Sequence, residues 1–268
     1  MFGLAISFSF KAGHTVKRFF ATTISLVIFN LAALHILHAQ DDQAAEAKKR
    51  AEIAVSAMGG VAWAAVGAVT TTVTAGNQVV PSRQYTLSID WSGKNLQTRK
   101  DYESGEEQTT ELTVGLGRYM KSTKGVKVLP PDVDLASILP SAPALALRIG
   151  LSRSKCQFRE MDGTQHLLRQ EAGSLEMLCS SPGTADGKVR ILWWFTPDGM
   201  PAKAQIFTSS PNLSSPRFKT FEYLNFENVQ GLKVPTSVTE VDGAIHRQYA
   251  FSNTSFAQSL PASLFSLK

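Results

Sequence analysis

The sequence predicts a mainly β fold of the α+β class: an antiparallel sheet preceded by an N-terminal helix and interrupted by a short inserted helix. Three observations predict it. The hydrophobic period changes from helical to alternating at Val69. Turn residues then recur roughly every ten positions, and a proline-rich segment interrupts the strands around residues 129–150. No repeat or linker divides the chain, so residues 41–268 are expected to form one domain.

The first forty residues have the composition of a secretory signal peptide. Three basic residues precede an apolar run from Phe19 to Leu37, and Ala39 offers a cleavage position. Residues 1–40 are therefore predicted to be removed, which places the mature protein in the periplasm or outside the cell. The apolar run is also long enough to serve as an uncleaved membrane anchor.

Charge argues against nucleic acid as a partner. The chain carries 27 Lys and Arg against 22 Asp and Glu. Three of the basic residues lie in the leader, which leaves 24 against 22 in the mature part. A small net charge without a Lys/Arg-rich block provides no footprint for phosphates.

Residues 41–60 predict a helix that begins with acidic residues, which suit the helix dipole, and ends at Gly59-Gly60. The segment that follows predicts one more short helical turn carrying Trp63. The apolar stripe of the helix is formed by Ala47, Ala51, Ala54 and Met58.

The strand pattern is clearest at residues 85–91, where Tyr85, Leu87, Ile89 and Trp91 alternate with polar residues. We expect this apolar face to be buried and the polar face to lie in water. The proline-rich segment predicts a short helix near residues 144–149.

Asp-Gly pairs predict two-residue hairpin turns, which fix the side chains that share a face. At Asp198-Gly199, the large side chains Ile191, Trp193 and Phe195 fall on one face, opposite alanines. Such a pairing leaves shallow space on the concave side of the sheet. The space fits either a lipid tail or a covering helix.

At Asp242-Gly243 the same count places Arg247 on an apolar face, opposite Val238. The arginine is predicted either to bond a ligand ester or a lid carbonyl, or to protect the sheet edge and extend toward solvent. The predicted ligand-binding residues of the two hairpins are Ile191, Trp193, Phe195, Val238, Ile245, Arg247, Tyr249 and Phe251.

Cys156 and Cys179 are permitted to form a disulfide in an oxidising compartment. A hairpin at Asp162-Gly163 followed by a tight return near Gly173 would, however, place them on opposite faces with a strand between them. Two thiols are therefore expected. A bulge or a longer loop would be required for a bridge.

No pattern predicts catalysis or a metal site. The mature chain has two histidines, His166 and His246, both predicted on solvated faces, and no zinc set of familiar spacing results. Nucleophile-elbow, dinucleotide-binding and phosphate-loop motifs are absent from the sequence. We expect no enzyme activity, no cofactor and no metal.

The C-terminal stretch carries a resemblance to a known family. A strand ending in Phe221-Glu-Tyr-Leu-Asn-Phe leads through Gly231 into a Lys-Val-Pro strand, then through Asp242-Gly243 into a last strand and a closing Leu264-Phe265. This order resembles the LolA/LolB-like family of bacterial envelope proteins. The resemblance covers roughly the last fifty residues and residues 42–76, and elsewhere it is architectural.

The resemblance implies a periplasmic protein that shelters acyl chains. It also implies that the curved antiparallel sheet forms an incomplete β-barrel, or half-barrel, covered by the N-terminal helix and the short inserted helix. Its expected partner is a hydrophobic ligand, either a lipid or an acylated protein, with at most transient membrane contact. The leader lacks a lipobox cysteine, which favours a soluble carrier-like form. The alternative is a non-catalytic envelope scaffold or protein-interaction module whose hollow is filled by its own helices, and a secreted hydrolase without a recognisable motif ranks last.

Overall fold

One antiparallel sheet of thirteen strands organises the part of the chain that the computed structural model describes. That part comprises residues 42–77, 82–93, 95–104, 107–115, 117–129, 134–152, 156–161, 173–180, 187–208 and 217–266. The predicted signal peptide, the Asp162-Gly163 turn and His166 lie outside it. Ala44–Lys268 is one compact unit, and the description below concerns that unit.

Helix α1 spans residues 42–57 and is followed by a 3₁₀ helix at Gly60–Ala64. The first strand group is β1 (Ala68–Asn77), β2 (Arg83–Asp90), β3 (Gln97–Ser104), β4 (Glu107–Val114), β5 (Gly117–Ser122) and β6 (Gly125–Leu129). Helices α2 (Asp134–Ile138) and α3 (Pro143–Ser152) interrupt the strands. The second group is β7 (Cys156–Glu160), β8 (Gly173–Ser180), β9 (Lys188–Phe195), β10 (Pro201–Thr208), β11 (Arg217–Val229), β12 (Leu232–Asp242) and β13 (Ile245–Ala257). A 3₁₀ helix at Ala262–Phe265 ends the described chain.

The strand order is β6-β5-β4-β3-β2-β1-β13-β12-β11-β10-β9-β8-β7. The two groups therefore join through the β1–β13 pair, while β6 and β7, which flank the helical insertion, form the two ends of an open sheet. The predicted mainly β fold, with an incomplete barrel and covering helices, is confirmed.

Helices cover one face of this sheet, which we call the inner face. The stripe of α1 is fully buried, and it belongs to one apolar cluster with Leu145 and Leu147 of α3 and with Ile191 and Trp193 of β9. Position 173 is a glycine, and Arg50 of α1 occupies the space that a side chain there would fill. The Nη2 of Arg50 donates to Glu160 Oε1 at 2.8 Å. Small residues thus bring α1 close to the sheet.

The C-terminal segment covers part of the opposite, outer face. Asp90 accepts a hydrogen bond from the backbone N–H of Leu260 at 2.7 Å, and Arg99 donates to the carbonyl of Leu264 at 2.6 Å. Ser88 and Asp90 are buried as a result, at 4% and 7% exposure. The expectation that the polar face of residues 85–91 lies in water was wrong, because sequence alternation does not reveal a distant segment that packs on it.

The hairpin at Asp198-Gly199 forms with a longer loop than predicted. The N–H of Thr196 donates to the carbonyl of Met200 at 2.8 Å, which closes a three-residue loop. A bulge between Pro201 and Lys203 then restores the predicted pairing of Trp193 with Ala204.

The second Asp-Gly hairpin turns at Gly243-Ala244, one residue later than predicted, so that Asp242 pairs with Ile245. Gly243 has φ 60 and occupies the first central position, where a type II′ turn requires glycine. The register therefore moves by two residues. Arg247 faces Glu240, and the prediction that it faces Val238 was wrong.

The expectation of two thiols was also wrong, because Cys156 and Cys179 form a disulfide with an S–S distance of 2.05 Å. Strand β7 pairs directly with β8, so the two cysteines lie opposite each other in neighbouring strands. Directly opposed residues bring their Cβ atoms within reach of a bridge. The prediction placed another strand between the two cysteines, but β7 and β8 are direct neighbours in the sheet.

Replacing both cysteines by serine should destabilise the protein by about 3 kcal/mol, since the bridge joins residues 23 positions apart and restricts the unfolded chain. Urea unfolding of the wild type and the double variant measures this difference. A reductant should shift the wild-type midpoint and leave the variant midpoint unchanged. Equal stability of oxidised wild type and variant would contradict the prediction.

Candidate functional site

The inner face of β9 carries three of the predicted ligand-binding residues. Ile191, Trp193 and Phe195 alternate along the strand and are buried, and the rings of Trp193 and Phe195 stack with centroids 6.3 Å apart. Leu175 on β8 and Ala204 on β10 flank Trp193 and are fully buried as well. These side chains form an apolar strip directly beneath the helices.

Trp193 carries an unpaired donor within this strip. Its side chain is fully buried, yet its Nε1 has no hydrogen-bond partner among the residues that the structure describes. The other fully buried tryptophan, Trp63, donates its Nε1 to the carbonyl of Met58 at 2.9 Å. A buried donor without an acceptor costs about 1–3 kcal/mol. The position of Trp193 therefore suits a ligand that brings a carbonyl oxygen.

The predicted residues of β12 and β13 have more varied surroundings. Val238 and Phe251 are buried, Tyr249 is half-buried against Phe251, and Ile245 is 45% exposed at the hairpin end. The apolar strip reaches them through Phe221 and Tyr223 on β11 and Ala204 on β10.

Tyr223 links this part of the strip to the helical insertion. Its hydroxyl donates to the carbonyl of Leu139 at 2.9 Å, directly after α2. Burial raises the pKa of the Tyr223 hydroxyl well above its ordinary value. The hydroxyl therefore remains protonated and fixes the end of α2 to the sheet.

Arg247 is an ion-paired residue rather than an isolated arginine on an apolar face. Its Nη1 donates to Glu240 Oε1 at 2.9 Å, Lys219 Nζ lies 3.5 Å from the same oxygen, and Tyr249 donates to Glu240 Oε2. Glu240 is only 3% exposed. Burial, followed by the charge and the hydrogen bond of Glu240, raises the pKa of the Tyr249 hydroxyl. We call Glu240, Arg247, Lys219 and Tyr249 the Glu240 cluster.

A second group of the same composition lies on β3, β4 and β5. Glu111 accepts from Arg118 Nε at 2.8 Å and from Tyr102 at 3.4 Å, and Lys100 Nζ lies 3.7 Å away. Burial acts to raise the pKa of Glu111, but the charges of Lys100 and Arg118 and the hydrogen bonds from Arg118 and Tyr102 bring it below its ordinary value. We call these four residues the Glu111 cluster.

Tyr85 on β2 connects the two clusters electrostatically. Its ring lies 5.0 Å from that of Tyr102. Burial raises the pKa of the Tyr85 hydroxyl most, and the neighbouring Tyr102, Glu111 and Glu240 raise it further. Because both carboxylates act on one hydroxyl, the clusters belong to one polar region of the inner face.

Sequence reasoning missed both carboxylates. Glu240 was not predicted because the expected register, two residues out, paired Arg247 with Val238. Lys100 and Tyr102 lie two positions apart, which indicates a shared face, but only the pairing of β3 with β4 brings Glu111 opposite Lys100.

A cleft of about 430 Å³ lies at the ends of β9 to β12, away from both clusters. Asp198, Met200, Tyr223, Phe226 and Lys233 are among the side chains that line it. None of the predicted ligand-binding residues lines it, and it therefore gives no support to the predicted site.

Solved structures with similar folds come from bacterial proteins. The chain matches a DUF1329 family protein from Desulfovibrio piger with a TM-score of 0.53 and 12% identity, over 82% of this chain and 97% of that one. It matches a LolA superfamily protein from Nitrosomonas europaea with a TM-score of 0.51 and 17% identity, again over 82% and 97%. The chain has a LolA-like fold.

A more distant likeness is to LprF from Mycobacterium bovis, with a TM-score of 0.31 and 12% identity over 81% of this chain and 95% of that one. No protein-family model and no curated protein matches the sequence. At these identities, the likeness of the LolA-like fold concerns architecture alone.

Three further observations concern the described residues alone. Their His, Cys, Asp and Glu side chains form no group of three that could hold a metal ion. No described helix combines the length and the apolar character needed to cross a membrane. His246 is exposed on the outer side of β13.

Replacing Glu111 by Gln should reduce the sensitivity of the protein to acid. Because the folded-state pKa of Glu111 is lowered, its ionised form stabilises the protein above the ordinary glutamate pKa of about 4.3, and this contribution is lost as the pH falls through the folded-state pKa. Urea midpoints measured between about pH 6 and pH 3 should fall less steeply in E111Q than in wild type.

The matched control is E222Q, because Glu222 is exposed on β11. Its acid limb should follow that of the wild type. Parallel acid limbs for E111Q and wild type would show that Glu111 does not titrate differently in the folded protein.

Proposed function

We propose that the protein is a non-catalytic binding or carrier protein of the bacterial envelope, which holds the acyl chain of a lipid or lipoprotein on its inner face. Removal of residues 1–40 would deliver it to the periplasm, where contact with a membrane would be transient. The LolA-like fold is compatible with this proposal, and the side chains of the apolar strip support it.

The Nε1 of Trp193, for which the described part of the chain offers no acceptor, carries the proposal. Buried indole N–H groups almost always find an acceptor, and the strip around Trp193 is built from aliphatic and aromatic side chains. An acyl ester would supply a carbonyl oxygen to the indole and methylenes to its neighbours. Ile191, Phe195, Val238 and Phe251 would line the chain, with Tyr249, Arg247 and Ile245 nearer the rim.

Helix α1 would have to move aside for such a ligand, and its contacts are weak enough to allow this. It places three alanine methyl groups and Met58 on the sheet, with Val55 and Ala57 partly buried beside them, and these side chains together contribute about 5–6 kcal/mol. The half-exposed Arg50–Glu160 pair adds at most about 1 kcal/mol.

An acyl chain outweighs these contacts. About ten buried methylenes contribute about 8 kcal/mol. Gly59 and Gly60, with φ 125 and 52, provide a pivot between α1 and the rest of the chain.

Locking α1 to the sheet should abolish acyl binding. A Cβ at Gly199 would lie 3.5 Å from the Cβ of Ala57, within the span of a disulfide. The oxidised double variant A57C/G199C should bind a fluorescent fatty acid at least about tenfold more weakly than wild type, because α1 no longer leaves the strip.

The single variants A57C and G199C serve as controls, and G199C also reports the strain of a side chain at φ 81. Peptide mapping confirms that positions 57 and 199 are bridged. Unchanged affinity in the bridged protein would disprove displacement of α1.

Replacing Trp193 by Phe should weaken binding of an acyl ester by roughly five- to tenfold, because the ring remains but the donor is lost. The ligand-induced change in tryptophan fluorescence should disappear as well. W194F is the matched control, since Trp194 lies on the outer face with Lys203 over its ring. Equal losses in both variants, or in neither, would contradict a role for the Trp193 indole.

A second candidate function follows from the packing of the helices. Ala47, Ala51, Leu145 and Leu147 are fully buried in the cluster that contains Trp193, so the protein's own helices occupy this part of the hollow. That observation favours a scaffold or protein-interaction module. Purified wild type that carries no lipid and binds no acyl probe would support this alternative.

A further inference from the structure

The two charged clusters have the same construction on either side of Tyr85. In each, a glutamate on the central strand is bonded by an arginine from one neighbouring strand, and a lysine approaches from the other. A tyrosine hydroxyl donates to the second carboxylate oxygen in each cluster. The repeated arrangement indicates that the carboxylates hold cations in fixed positions.

The carboxylates lie beneath and the cations lie nearer to solvent. The Glu240 side chain is 4% exposed, whereas Arg247 is 36% and Lys219 is 40% exposed. Glu111 is 10% exposed and Lys100 is 22% exposed. In the Glu240 cluster, Asp242 Oδ2 also lies 4.0 Å from Lys219 Nζ, so two carboxylates face the two cations, but Arg247 and Lys219, at 36% and 40% exposure, are more exposed than Glu240 at 4% or Asp242 at 24%. A molecule entering this region therefore meets positive charge first.

The Glu240 cluster is continuous with the apolar strip. The Tyr249 ring stacks on Phe251 with centroids 6.3 Å apart, and Phe251 is buried in the core. Arg247 lies two residues before Tyr249 on the same face of β13. A ligand with its chain along Val238 and Phe251 would thus bring its head to Arg247 and Lys219. Strands β10 to β12 separate Arg247 from Trp193 on β9, so a ligand held in this way would place its head group here and not its ester carbonyl at the indole.

We infer that Arg247 and Lys219 form a subsite for the anionic head of an acyl ligand, a carboxylate or a phosphate. The inference rests on the proposed function, because it assigns the head of the ligand whose chain that function requires. Arginine and lysine held by a buried carboxylate are pre-oriented, so little side-chain freedom is lost on binding. Glu240 acts as a positioning residue beneath them.

The test compares a charged probe with its neutral analogue: cis-parinaric acid and its methyl ester, titrated at about pH 8, where the carboxylate is ionised. Wild type should bind the acid more tightly than the ester. R247Q and K219Q should each weaken binding of the acid by roughly tenfold and change binding of the ester less than twofold. R247K should restore most of the affinity for the acid.

The matched control is R190Q, because Arg190 pairs with Glu176 across β8 and β9 on the outer face. It should bind both probes like wild type. Competition with palmitate and with a single-chain acyl phosphate then distinguishes a carboxylate head from a phosphate head, since the natural class should displace the probe at lower concentration.

The possible results show separately whether the anionic subsite or acyl binding itself is wrong. If wild type binds acid and ester equally and R247Q changes neither, the anionic subsite is disproved while acyl binding stands. If R247Q weakens both probes equally, the arginine is structural and the subsite is likewise disproved. If wild type binds neither probe, acyl binding fails and the subsite fails with it.

Discussion

The need to cover one continuous apolar surface governs this structure. Alternate residues of every strand point to the same face, so an open sheet with one apolar face exposes that face to water unless another layer packs on it. The β1–β13 pair joins the two strand groups into a single surface, and α1, α2 and α3 supply the layer. The position of the helical insertion between the two sheet ends follows from this requirement.

Curvature of the sheet has a local cause in the same pair of strands. The register of β1 against β13 shifts between Thr70 and Thr72, and Asn253 has φ 52 at that point. Thr71 is buried there, and its hydroxyl donates to the carbonyl of Ser252 at 3.1 Å. A bulge of this kind bends the strand, which helps the sheet to wrap around the helices.

The sequence predicted the sheet face of each side chain better than its partner on the neighbouring strand, and the reason is physical. Face depends only on parity along one strand, so the buried side of residues 85–89 could be derived without any knowledge of their neighbours. The cross-strand partner of a side chain depends on which two residues form the turn. At residues 242–244, a one-residue change in the turn moved the register by two, which preserved the face of Arg247 and replaced Val238 by Glu240 as its partner.

The order of the strands in the sheet was harder to derive than the register of residues within a hairpin. The disulfide between Cys156 and Cys179 required β7 to lie beside β8, whereas a reading of successive tight turns placed another strand between them. Likewise, a glutamate within a strand is predicted to face solvent when the cations on the neighbouring strands are not known. Glu111 and Glu240 could therefore not be recognised from local patterns, although alternation correctly placed the apolar residues around them.

Under the proposed function the helices and an acyl ligand would compete for the same strip, and the Trp193 indole, which has no acceptor among the described residues, bears on that competition. Trp193 lies in the apolar cluster beneath the helices, but its Nε1 has no acceptor among the described residues. A core evolved only for stability would gain by pairing or removing that donor. The alanine stripe points the same way, since a helix set farther from the sheet could carry larger side chains and bury more apolar area. Both features weaken the helix-covered state, as displacement of α1 by an acyl ligand would require under the proposed function.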